Sequence, residues 1–265
     1  MTEELVVEVE HARVEYSKNG VTTRAVEDVS FSIQKGEFVA IVGPSGSGKS
    51  TLLNAIAGLV KPSGGSISLS CDPRDVGYMF QSDALLPWRR ATDNVALTLE
   101  LGGIRKKVAR QRAIALLRSL GLSGFEDRYP HELSGGMRKR VSLAAALIHD
   151  PSVILMDEPY GALDAQTRLL LQEEFRKLWL RERQTILLVT HDLEEAVAMA
   201  DRVVVLSARP AVVRRILDVD LDRDRGVLEA RSAPRFHQLV ELIWNELQVD
   251  TALAQQLPPD QDADA

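Results

Sequence analysis

Phe38-Val39-Ala40-Ile41-Val42-Gly43-Pro44-Ser45-Gly46-Ser47-Gly48-Lys49-Ser50-Thr51 is the stretch that decides the fold. Its first five residues form an unbroken apolar run between Gly36 and Gly43, the pattern of a strand buried on both faces. Gly43 to Thr51 then matches G-x-x-x-x-G-K-[ST] in full, and Leu52–Leu59 continues with helical character. Each residue type has a physical reason. The glycines let the backbone wrap closely around phosphate oxygens and turn N–H groups inward. The start of the following helix adds its positive dipole end. Lys49 is placed for the β- and γ-phosphates of a nucleotide, and Ser50 for Mg²⁺. A glycine loop that merely contained a lysine would lack one or both flanks.

Outward from this loop, the chain reads as α/β. Leu5–Glu10 and Val26–Ile33 alternate apolar and polar residues as half-buried strands do, with a turn at Ser17–Gly20 between them. Gly64-Gly65 breaks the chain before short strands at Ile67–Ser70 and Val76–Phe80. From Thr92 to Asp150 the period is helical, with helices at Val108–Leu120 and Val141–Ile148. Strand signals return at Val153–Met156, Ile186–Val189 and Val203–Leu206, around a helix at Gln166–Leu180 whose charges are expected largely to face water. Segment 218–235 is dense in both charge signs and predicts a solvated connector, Phe236–Leu247 an amphipathic helix, and Pro258–Ala265 a disordered tail. A helical block is therefore inserted into an α/β unit, and no internal repeat is visible.

Two further patterns carry chemistry. Val153-Ile154-Leu155-Met156-Asp157-Glu158-Pro159 is an apolar strand ending in two carboxylates. Asp157 is the candidate to meet Mg²⁺ directly or through water. Glu158 is expected to point the other way, toward an attacking water. Leu133-Ser134-Gly135-Gly136-Met137 precedes a helix at Arg138–Ile148, so Ser134 and the two glycines offer a hydroxyl and bare N–H groups at a helix start, a second place for phosphate.

In these residues the chain resembles the ATP-binding cassette (ABC) transporter ATPases. Gly43–Ser50 resembles the Walker A loop of that family, Val153–Glu158 its Walker B strand and Leu133–Met137 its signature motif. Gln81 resembles the Q-loop glutamine, Ala162-Leu163-Asp164 the D-loop, His191 the switch histidine, and Tyr16 an aromatic that stacks on adenine. The match runs in order from about residue 5 to 217. It implies a P-loop NTPase cassette: residues 1–90 and 151–217 form a RecA-like ATP-binding core with an antiparallel β subdomain, 91–150 a helical signature subdomain, and 218–265 a linker, helix and tail.

The resemblance also implies ATP and Mg²⁺ as ligands, and a head-to-tail pair of cassettes with each ATP between one Walker A and the partner's signature. Lys49, Ser50 and the loop Gly43-Pro44-Ser45-Gly46-Ser47-Gly48 with Thr51 would hold phosphates, and Ser50, Gln81 and Asp157 the metal. Glu158 would polarise water, and His191 would contact the γ-phosphate. Ser134, Gly135, Gly136 and Asp164 would complete the site from across the dimer. Met137 stands where many members carry Gln; a thioether cannot replace an amide's hydrogen bonds, so the ribose contact is not carried over as the phosphate contacts are. Leu85–Arg89, Leu133–Val141 and Asp157–Asp164 are similar to the nitrate/sulfonate/taurine branch of importer ATPases. That branch implies transmembrane permease subunits, a solute-binding protein, and a peripheral place on the cytoplasmic face of the inner (plasma) membrane.

Composition sets the outer bounds. In 265 residues, 45% are apolar and 26% charged, as in ordinary globular domains, which excludes a disordered, collagen-like or rod-like chain. Thirty-two Lys and Arg against 38 Asp and Glu leave a net charge of −6, so no overall basic field favours nucleic acid. The lone Cys71 excludes an internal disulfide. No apolar run approaches the ~18–20 residues of a spanning helix, and the acidic N-terminus is unlike a signal peptide. His11, His131, His149 and His237 sit in no metal-ligand spacing and read as surface or packing residues. Ser82–Arg89, with Trp88, reads either as a buried loop or as a groove receiving a helix from a membrane subunit. The alternative function is an ABC ATPase in DNA repair or translation. A GTPase, a small-molecule kinase and a non-hydrolysing sensor fit less, given the signature, the absence of Asn-Lys-x-Asp, and the presence of Glu158 and His191.

Overall fold

The computed structural model describes residues 4–18, 20–161, 163–222 and 226–254, with side chains through Gln248 apart from Lys18. Its frame is a nine-stranded sheet. Strands β1 (Leu5–Lys18), β2 (Val21–Gln34), β3 (Phe38–Val42), β4 (Gly64–Leu69), β5 (Val76–Met79), β6 (Val153–Asp157), β7 (Thr185–Val189), β8 (Arg202–Leu206) and β9 (Ala211–Asp218) lie in the order β4-β1-β2-β9-β8-β3-β7-β6-β5. β8, β3, β7, β6 and β5 run parallel, while β1 pairs antiparallel with β2 and β4. β9, which the sequence reading passes over, is antiparallel to β8 and parallel to β2, and so joins the two halves.

The unbroken apolar runs form the centre of the parallel part because both of their faces are covered. Every residue of β3, β6 and β7 is buried. Alternation sends Val39, Ile41, Leu155 and Val189 to one core, with Leu52, Leu53 and Ile56 of helix α1 (Lys49–Ile56) and the inner face of β1–β2. Ala40, Val42, Ile154, Met156 and Leu188 face the other core, against the remaining helices. Between β5 and β6 the chain forms α2 (Ala91–Leu101), α3 (Lys106–Ser119) and α4 (Gly135–Leu147). After β6 come α5 (Ala165–Glu182), α6 (Leu193–Met199), α7 (Val227–Arg231) and α8 (Pro234–Ala254).

Two expectations change. The Gly64-Gly65 break lies inside β4, and β1 and β2 extend to Lys18 and from Val21 as one long hairpin. Helix α5 keeps most of its charged groups at least partly in water, but Gln172 and Arg176 are buried, and Arg176 Nη1 donates to the Ala198 carbonyl at 2.8 Å, tying α5 to the end of α6. Segment 218–235 is not wholly a solvated connector. Val219, Val227 and Ala230 are buried, because α7 closes over the core formed by α5 and α6. The expected tail at Pro258–Ala265 lies outside the described residues. No helix among the described residues is long and apolar enough to cross a membrane.

Candidate nucleotide-binding site

The site lies at the C-terminal ends of parallel strands β3, β6 and β7, where α/β sheets place their ligands. A cavity of about 830 Å³ is lined by Tyr16, Gly43, Pro44, Ser45, Gly46, Gly48, Lys49, Ser50, Thr51, Gln81, Glu158 and His191, within the range of small-molecule sites. Gly48 has φ 104°, and a Cβ there would sit 2.6 Å from the Ala25 carbonyl oxygen, so only glycine fits where the loop passes β2. Ser47 is the loop residue whose side chain turns inward: it is buried, and its hydroxyl finds no partner among the described residues. Lys49 is 5% exposed and donates from Nζ to the carbonyls of Gly43 (2.9 Å) and Pro44 (2.8 Å). Burial lowers its pKa, and the carboxylates of Glu158 and Asp157 pull it back up.

Ser50 Oγ donates to Asp157 Oδ1 at 2.9 Å, which joins the phosphate loop to the acidic strand end. Burial raises the Asp157 pKa, against the pull of the Ser50 hydrogen bond. A buried carboxylate beside a hydroxyl is a hard-oxygen pair that fits Mg²⁺. No group of three or more His, Cys, Asp and Glu that could hold a metal occurs among the described residues.

Glu158 gathers the most connections. Its φ of 44° is unusual for a non-glycine residue, and such strain costs roughly 1–3 kcal/mol. Its amide donates to the Val189 carbonyl at 2.8 Å, which holds the bend. Gln81 Nε2 donates to its Oε2 at 2.9 Å, and His191 Nδ1 lies 3.2 Å from its Oε1. Gln81, expected beside Asp157 in the metal shell, thus has its side chain on Glu158.

The signature residues lie apart from this cavity. Ser134 is the N-cap of α4, its hydroxyl accepting from Met137 N at 3.3 Å, so the helix begins at Gly135 rather than at Arg138. A Cβ on Gly136 would meet Thr167 Cγ2 at 2.8 Å. Asp164 caps α5 through Thr167 N at 3.0 Å, and Arg168 donates to both the Leu163 carbonyl and Asp192 Oδ2, linking that turn to the loop of His191.

Beneath His191 the sequence reading missed a buried cluster. Thr190 Oγ1 donates to Glu195 Oε2 at 2.8 Å and accepts from Asp192 N at 3.0 Å, while Asp192 Oδ1 accepts from Glu195 N at 3.0 Å. The signal was legible: Asp192-x-x-Glu195 has capping-box spacing at the start of α6. Glu195 is 3% exposed, and burial pushes its pKa up from 4.5 to about 8, against the Thr190 hydrogen bond. Below pH 4.5 folded and unfolded chains both hold this proton; between 4.5 and about 8 only the folded one does, so its contribution to stability falls as pH rises. Glu195→Gln keeps the acceptor for Thr190 and removes the titration. Thermal melts from pH 5 to 9 are expected to show the variant gaining on the wild type toward pH 9; parallel curves would refute a buried protonated Glu195.

A sequence model of the ABC transporter family matches residues 26–161. The chain is 44% identical over 226 residues to an uncharacterised ABC transporter ATP-binding protein of Methanocaldococcus jannaschii, covering 83% of this chain and 84% of that one. It is 43% identical to the taurine import ATP-binding protein of Rhizobium johnstonii, over 90% of this chain and 95% of that one. It is 41% identical to the nitrate import ATP-binding protein of Synechococcus elongatus, over 81% of each. Among solved structures, a dimeric ATP-binding cassette in a post-hydrolysis state with ADP and Pi superposes with a TM-score of 0.73 at 32% identity, covering 82% of this chain and all of that one. The chain belongs to the ABC transporter family, as an ATP-binding cassette of the P-loop α/β fold, and is an ATPase coupled to transport.

Proposed function

We propose that this chain powers uptake of a small anion or related solute (nitrate, taurine or another sulfonate) as one of two identical cassettes on the cytoplasmic face of the plasma membrane, with transmembrane permease subunits and a solute-binding protein. The observation that carries the hydrolytic part is the convergence of Gln81 and His191 on the two carboxylate oxygens of Glu158, beside the Lys49 loop. Relatives named for import of taurine, aliphatic sulfonates and nitrate support the rest.

Lys49 and the loop amides bind the phosphates, with Tyr16 on the base. Ser50 and Asp157 would hold Mg²⁺, which when bound neutralises phosphate charge. Glu158 takes the proton of the attacking water, and His191 orients Glu158 and meets the γ-phosphate. Most of the rate gain is electrostatic, from groups held ready for the transition state. Ser134, Gly135 and Gly136 reach the same phosphate from the partner, which accounts for their distance from the cavity of their own chain, and Asp164 faces the partner at the same seam. The Ser82–Arg89 loop serves as the permease dock: Trp88 is 71% exposed, and Leu85 and Leu86 of the loop line, with Phe80, a cavity of about 330 Å³.

The test is purification of the tagged chain from detergent-solubilised native membranes. Permease subunits are expected to co-purify, and the complex in vesicles with its solute-binding protein should hydrolyse ATP faster when given taurine, an alkanesulfonate or nitrate. Recovery only with DNA or ribosomes would overturn the transport reading, and stimulation by none of the three solutes would overturn the solute class.

A further inference from the structure

The wall of the nucleotide cavity is not made by motif residues alone. Trp244, Leu247 and Gln248 of α8 line it as well, more than fifty residues beyond His191 in the chain. Helix α8 is anchored for this. Phe236, Leu239 and Ile243 are fully buried and Leu247 is partly buried against the same core, while Arg215 of β9 pairs with Glu246 at 2.8 Å. The core they join includes Ala196, Val197 and Met199 of α6, the helix that follows His191. Trp244 and Gln248 lie one turn apart beside the anchoring residues, so seating α8 brings Trp244 to the cavity. The ring is nevertheless 55% exposed, and Tyr16 on the same cavity 44%. A large aromatic left half in water at the mouth of a site has apolar area to give to a flat ligand.

We propose that α8 is part of the nucleotide site, and that Trp244 is a second aromatic contact to the bound adenine nucleotide alongside Tyr16. This rests on adenine nucleotide occupying the cavity. Helix α8 then tightens when nucleotide binds and transmits occupancy to α6, the helix after His191, against which it packs.

The test titrates the full-length chain with MgADP, which avoids turnover, by calorimetry and by tryptophan fluorescence. Stacking of a base on an aromatic ring predicts that Trp244→Ala weakens binding about five-fold or more. Trp244→Phe keeps a ring, so it should bind near the wild-type value but lose the nucleotide-dependent change in emission. Glu241→Ala, on the exposed side of α8, should change neither. Because Trp244 is half in solvent, the melting temperature of Trp244→Ala should stay with the wild type, and a fold defect would show there. Wild-type affinity in Trp244→Ala, or an undiminished emission change in Trp244→Phe, would overturn the proposal. If the wild type itself fails to bind MgADP, the nucleotide assignment falls and this inference with it.

Discussion

Glu158→Gln is expected to lower ATP turnover by about 10²- to 10⁴-fold, the usual worth of a positioned general base, with nucleotide binding preserved. The substitution is nearly isosteric. Its amide oxygen can still accept from Gln81 Nε2, as Oε2 does at 2.9 Å, and its NH₂ can donate to His191 Nδ1 in the other ring tautomer. The backbone bend depends on the Glu158 N–H, which the variant keeps. Only the ability to take a proton from water is removed. ATP that is bound but not cleaved should also hold two cassettes together, so gel filtration with MgATP is expected to show a dimer that the wild type loses as it turns over. Turnover near the wild-type rate would end the role assigned to Glu158.

Lys49→Ala is expected to weaken MgADP and MgATP binding by about 10²- to 10³-fold, the scale on which a preorganised donor to a developing or fixed oxyanion acts. Lys49 is the one cation of the phosphate loop, and burial makes its charge count for more than an exposed lysine's would. Its two bonds to the Gly43 and Pro44 carbonyls hold it ready between the loop and the carboxylates of Asp157 and Glu158. Removing it leaves those carbonyls with lost hydrogen bonds, but also removes a desolvated charge, so the two effects on stability oppose each other. The nucleotide-free melting temperature should therefore move by no more than about 4 °C. Calorimetric binding within two-fold of the wild type would refute the role of Lys49. A large fall in melting temperature would instead assign it to holding the loop together.

Much of this is legible in the sequence. The five-residue apolar run from Phe38 to Val42 and the loop after it are decided by short-range chemistry: hydrophobic periodicity sets the strand, and glycine geometry with one lysine sets the cradle. The Walker B strand is legible for the same reason, and β3, β6 and β7 are buried at every position as their runs predict. β9 escaped because Ala211-Val212-Val213-Arg214-Arg215-Ile216-Leu217-Asp218 has no clean period: two consecutive arginines interrupt it, and neighbouring strands rather than its own pattern make it a strand. Nothing in the sequence singles out Arg176, because α5 is rich in charge throughout, and only the end of α6 shows that one guanidinium is needed inside to satisfy open carbonyls.

The residue types of the site, and the order in which the chain presents them, follow from sequence by itself, because each motif is a local solution to holding a phosphate or ending a strand. What the tertiary structure alone decided is which groups meet. Gln81 reaches Glu158 across 77 residues and Ser50 reaches Asp157 across 107, and no local preference encodes such a distance. The same packing excludes Ser134 from the cavity of its own chain and brings Trp244 to it. Both outcomes depend on how α4 and α8 seat against a common core, a balance of buried apolar surface summed over many residues rather than a property of any one segment.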